Sequence, residues 1–131
     1  MTQSRAKGKR GELEASKEWS RVMGGACRRG QQFAGGNDSP DLVHDFAGIH
    51  LEVKRTERGN PYLWLKQAIA DCQGRVPVIL HRRSNQPWIV VVRLDDVPRF
   101  VLEAQAGPQA QTLGGGKVPG HDPGAGVSPA P

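Results

Sequence analysis

Apolar positions recur at helical spacing early in the chain. Positions 12, 15, 16, 19, 22 and 23 fall on one face and read Glu, Ala, Ser, Trp, Val and Met, which predicts a helix over residues 9–23. The opposite face carries Glu14, Lys17, Glu18 and Arg21, spaced to pair at i+3 and i+4. Glu12 is the exception, a carboxylate at the N-terminal end of the face that should look inward. A basic arm over residues 4–10 precedes this helix, and Gly24-Gly25 ends it. A strand is expected over residues 26–32, followed by the loop Phe33-Ala34-Gly35-Gly36-Asn37-Asp38-Ser39-Pro40. Two short strands then flank a turn at residues 45–48. In the second, Ile49, Leu51 and Val53 alternate with His50, Glu52 and Lys54, giving one apolar and one polar face.

Asn60-Pro61 is a helix start, a cap followed by proline at the first helical position, and the helix it opens runs to residue 72. Residues 76–80 form an apolar run suited to a central strand, and residues 88–92 a second one beyond a polar turn. A last helix begins near Asp96 with Pro98 in its first turn. The order α-β-β-β-α-β-β-α predicts an α/β fold, helices packed around a mixed sheet. Composition then divides the chain. Residues 107–131 hold seven Gly and five Pro in 25 positions and almost nothing apolar. Such a segment cannot recover its ordering entropy, so one domain over residues 1–106 and a disordered tail are expected.

Eighteen Lys and Arg against thirteen Asp and Glu give a net charge of +5 and a pI near 9.7, a balance suited to nucleic acid or to an anionic membrane surface. No run approaches the ~18 apolar residues of a membrane span. The N-terminus has charge without the apolar run of a secretory signal. Cys27 and Cys72 are too few for a disulfide scaffold and lack zinc-ligand spacing. These features lead us to expect a cytoplasmic protein with no membrane partner.

The chemistry concentrates in residues 40–55. With a four-residue turn at 45–48, paired positions sum to 93, so Leu42 faces Leu51 and Asp41 faces Glu52. Directly opposed carboxylates on one sheet face repel. A cation bridging them removes the penalty, and oxygen ligands with water suit Mg²⁺ or Mn²⁺ and not zinc. Lys54 lies two residues past Glu52 and projects from the same face. Hydrolysis of a phosphodiester needs an activated water and charge stabilisation at phosphate, which a metal and a neighbouring ammonium supply. Glu12 could complete the metal shell directly or through water. Charged residues alternating along a strand usually mark only a solvated face. Here the matched register, the inward Glu12 and the basic chain together favour a site.

Pro40-Asp41 and, eleven positions after Asp41, Glu52-Val53-Lys54 resemble the motif of the PD-(D/E)XK nuclease superfamily. Lys7-Gly8 followed by Glu12, with a Gly- and Ser-containing loop before Asp41, is similar to archaeal-type and phage Holliday junction resolvases. Lys66-Gln67-Ala68 resembles a further Lys/Gln position of such nucleases. The resemblance covers about residues 7–94. It implies a restriction-endonuclease-like αβββαβ core, a Mg²⁺-dependent cut for which Mn²⁺ substitutes, and a homodimer acting on four-way DNA junctions in a bacterial or phage-infected cell. By position it implies Asp41, Glu52 and the Val53 backbone carbonyl as metal ligands, Lys54 as the catalytic lysine and Glu12 as the helix-borne acid. Lys7, Lys9, Arg10, Arg28, Arg29, Ser39, Arg55, Lys66 and Gln67 are candidates for contacting DNA, by backbone and shape and not by base edges. His50 shares the polar face with Glu52 and could touch the site. The alternatives are a nuclease for another DNA form (flap, nick or duplex) and a basic DNA-binding module without catalysis.

Overall fold

The computed structural model describes residues 2–30 and 41–109, with side chains from residue 8 onward. Helix α1 spans Thr2–Met23 and strand β1 Cys27–Arg29. Strands β2 (Leu42–His44) and β3 (Ile49–Arg55) precede helix α2 (Pro61–Asp71) and strand β4 (Val76–Arg82). Strand β5 (Ile89–Val91), a 3₁₀ turn at Leu94–Asp96 and helix α3 (Val97–Ala106) follow. The fold is mixed α/β. Strands β3, β4 and β5 form a mixed three-stranded sheet, with β3 parallel to β4 and β5 antiparallel to it.

The parallel pair requires a crossover, and α2 supplies it. Its start follows from the sequence: Asn60 Oδ1 accepts from the Tyr62 N–H at 2.9 Å, and Pro61 occupies the first turn, where no backbone donor is needed. Strand alternation sorts the core onto two faces. On one face Ala15 and Trp19 of α1 pack with Leu42, Phe46, Leu51, Val78 and Leu80, Trp19 meeting Phe46 edge-on at 5.5 Å. On the other, Leu65 and Ala68 of α2 cover Ile79. Glu52 is the register neighbour of Ile79, so His50, Glu52 and Lys54 share the α2 face. Each fully buried aliphatic side chain contributes roughly 1.5–3 kcal/mol. No helix among the described residues is long and apolar enough to cross a membrane.

Four expectations need correction. The stretch read as a basic arm is helical from Thr2, because Ala, Lys and Arg propagate a helix without an apolar face. Val22, assigned to the inward face, is exposed, whereas Ala15, Ser16 and Trp19 are buried. Of the strand expected over residues 26–32, the described residues carry Cys27–Arg29, with Ala26 and Gly30 outside the strand and residues 31–32 outside the described set. Finally, β2 and β3 do not form a ladder: β2 pairs antiparallel with β1, in register Cys27↔His44 and Arg29↔Leu42. The loop over residues 33–40, with Ser39, and residues 110–131 of the tail lie outside the described residues. The chain packs against the body past Ala106, where the Gln109 N–H donates to the Asp45 carbonyl at 2.8 Å.

Candidate active site

Asp41 stands just before β2, and its Oδ2 accepts a 2.8 Å hydrogen bond from the Val53 N–H. That contact replaces the expected Asp41–Glu52 pairing and explains why the ladder fails: a side chain takes the donor that a strand carbonyl would have used. It also fixes the geometry. β4 occupies one edge of β3, so the Val53 N–H that reaches Asp41 points to the other, free edge, which pairs with no strand among the described residues. The Val53 carbonyl points the same way, because the N–H and C=O of one strand residue share an edge.

The free edge of β3 gathers charge from both faces. Burial raises the Asp41 carboxyl above its ordinary value; the Val53 hydrogen bond opposes this, the Glu52 charge adds to it, and Lys54 offsets part. Asp41 is therefore within electrostatic reach of both Glu52 and Lys54. From the α1 side, Glu12 is raised by burial and by the Asp41 charge, against the Arg29 guanidinium, whose Nε donates to Glu12 Oε1 at 2.7 Å. Glu12 gets there because Gly11 lets α1 approach β3 closely: a Cβ at Gly11 would lie 2.6 Å from Arg55 Cβ. The structure thus brings Glu12, Asp41, Glu52 and Lys54 around one strand edge. The Lys54 ammonium has no hydrogen bond or ion pair among the described residues.

Comparison of the chain with family models, with curated proteins and with solved structures gives no match in any of the three. The site therefore rests on its own geometry.

Among the described residues, no group of three or more His, Cys, Asp or Glu side chains converges tightly enough to hold a metal ion. The oxygen set at the β3 edge is smaller: the carboxylates of Asp41 and Glu52 and the Val53 carbonyl. Mg²⁺ characteristically takes one or two carboxylates and keeps several waters, so this donor chemistry fits it and does not fit zinc. Asp41 Oδ1 and Glu52 Oε1 carry no hydrogen bond among the described residues, which leaves each an oxygen to offer.

The predicted DNA contacts divide. Lys9, Arg10, Arg28, Lys66 and Gln67 are exposed, the last two on the outer side of α2. Lys7 lies on α1, and its side chain falls outside the described set. Arg29 and Arg55 are engaged instead: Arg29 with Glu12, and Arg55 at 3.8 Å from Glu14 and 3.3 Å from Glu57, its side chain only 17% exposed. Burial and then Asp45 push the Cys27 thiol up to about 12, which disfavours its thiolate.

Two residues gain importance over the sequence reading. His50 is buried and its Nε2 lies 3.0 Å from Glu52 Oε2. Arg75 Nη2 lies 3.4 Å from His50 Nδ1. His50 was discoverable from its period-two relation to Glu52. Arg75 was not, because it arrives from 25 residues away through the parallel crossover. A cavity of about 700 Å³ lined by Trp19, Met23, Leu80, Trp88 and Phe100 contains none of these groups.

Proposed function

We propose that the chain is a metal-dependent endodeoxyribonuclease with a restriction-endonuclease-like core of the PD-(D/E)XK type, acting as a homodimer on four-way DNA junctions. The observation that carries this reading is the Asp41 carboxylate, hydrogen-bonded to the Val53 N–H within electrostatic reach of Glu52 and Lys54. Like charges cluster there with too little cation to balance them. A divalent ion resolves that imbalance, and Asp41, Glu52 and the Val53 carbonyl would hold it. When bound, Mg²⁺ supplies Lewis-acid stabilisation to the phosphate under attack.

The chain's own groups do the rest. Lys54, which has no ion pair among the described residues, is available to orient the attacking water and to offset the charge developing on the phosphoryl oxygens. In the reaction the water oxygen bonds to phosphorus and gives up a proton, the ester P–O bond breaks, and the departing oxygen takes up a proton from solvent, so protons balance overall. Arg29 keeps Glu12 from adding its full charge to the site. Exposed Lys9, Arg10 and Arg28 supply the phosphate contacts on which salt-dependent binding rests. Dimerisation follows from the substrate, since paired symmetric cuts across a junction call for two sites.

The test is cleavage by the purified chain, with Mg²⁺, of a four-way junction beside a linear duplex and a flap of the same sequence. Symmetric paired incisions in the junction are expected, with the other two substrates cut more slowly. Equal rates on all three would reassign the substrate class, and no incision of any would reject the enzyme.

A further inference from the structure

The face of β3 that carries Glu52 continues inward to a buried relay. Two residues before Glu52, the His50 side chain is 4% exposed, with Nε2 3.0 Å from Glu52 Oε2. Its other nitrogen, Nδ1, lies 3.4 Å from Arg75 Nη2. Arg75 is itself anchored, its Nε donating to the Cys72 carbonyl at 2.9 Å just past α2. The order of donors is then fixed. A guanidinium never accepts, so His50 Nδ1 must be the acceptor from Arg75. A neutral imidazole with a bare Nδ1 carries its hydrogen on Nε2, and that hydrogen points at Glu52 Oε2.

We propose that Arg75 and His50 are positioning residues that hold one oxygen of Glu52 through a single histidine tautomer and leave the other turned to the site. The inference deepens the nuclease reading and rests on Glu52 being a metal ligand. Its logic is that of a ligand held by a hydrogen-bonded outer partner, whose loss characteristically lowers metal affinity by about 10–100-fold. A carboxylate on an unsupported strand side chain samples several rotamers; one clamped through a buried ring samples few. The arrangement also explains why a half-buried arginine is brought against a buried histidine at all. Neither is needed to fill the apolar core, and a Leu at position 50 would pack with less desolvation cost.

The substitutions separate donor chemistry from bulk. Glutamine places an N–H near the position of Nε2, whereas leucine fills the volume and donates nothing. Mn²⁺ affinity of the full chain, measured by electron paramagnetic resonance, should fall about 10–100-fold in His50→Leu and measurably in Arg75→Met, and stay within about threefold of wild type in His50→Gln. Junction cleavage should rank the variants in the same order. Long-range proton–nitrogen correlation spectra of the metal-free wild type should show His50 protonated at Nε2 and bare at Nδ1. If His50→Leu does not fold, the contrast between His50→Gln and Arg75→Met carries the test. Wild type that binds Mn²⁺, with every variant equal to it, overturns the relay alone, as does a His50 protonated at Nδ1. Wild type that binds no Mn²⁺ overturns the reading of Glu52 as a ligand.

Discussion

Asp41 shows how one side chain can decide both structure and chemistry. Its carboxylate caps the Val53 N–H, which stops β2 from extending a ladder along β3 and holds the acid beside Glu52 and Lys54. The cost is electrostatic. Burial, then the Glu52 charge, raise Asp41, and burial, then the Asp41 charge, raise Glu12. Each carboxyl therefore binds its proton more tightly in the folded chain than in the unfolded one. The contribution of these two groups to folding stability is therefore fully present below the ordinary carboxylate range and is lost as pH rises through the raised folded values. At neutral pH without metal, Asp41→Asn removes one of these charges while its side-chain oxygen can still accept from Val53. Its Tm in EDTA should exceed that of wild type by an amount on the order of a few degrees. Added Mg²⁺ should raise the wild-type Tm and not that of the variant, by preferential binding to the folded state. A scanning calorimeter reads both, and a lower Tm for the variant in EDTA would mean that the acid is structural. Asp41, Glu52 and Lys54 could be singled out in the sequence because period-two alternation and a countable turn bring them together. Their register could not, because a side-chain contact took the place of the assumed ladder.

At the scale of the element, α1 matters for how closely it lies on β3. Gly11 makes that approach possible, since a Cβ there would meet Arg55 Cβ at 2.6 Å and Cγ at 3.0 Å. Helix propensity alone favours Gly11→Ala by about 1 kcal/mol. Packing predicts the opposite sign, a loss of roughly 1–3 kcal/mol, with Glu12 displaced from Asp41. Urea unfolding of the variant decides between them, and a gain in stability would show that α1 is free to move off β3. The helix was legible from Ala15, Trp19 and the charged face opposite, and α2 from its Asn60-Pro61 cap. The early start of α1 at Thr2 was not, because a basic, apolar-poor stretch gives no period to read and becomes helical by propagation.

For the whole molecule, the composition break at residue 107 does not coincide with the last contact among the described residues. Pro108 would lie 2.6 Å from a Cβ at Gly25, and the Gln109 N–H donates to Asp45. Asp45 in turn accepts from the Ala26 N–H at 2.9 Å, so these residues tie the end of α3 to the turn after α1. A chain ending at Ala106 should melt several degrees below one ending at Gln109, and equal midpoints would make the contact dispensable. Glycine and proline marked a change in composition correctly, but they carry no signal for a main-chain hydrogen bond formed across more than sixty positions. Three elements meet at the free edge of β3, and the claim that matters most is that they meet there to cut DNA. The most direct measurement is the single-turnover rate of four-way junction cleavage in Mg²⁺ by wild type and by Glu52→Gln, at protein concentrations where both bind the junction. The rate should fall by about two orders of magnitude or more in the variant, with binding intact or tighter because a negative charge near phosphate has been removed. Equal rates, or no cleavage by wild type bound to the junction, would contradict the assignment.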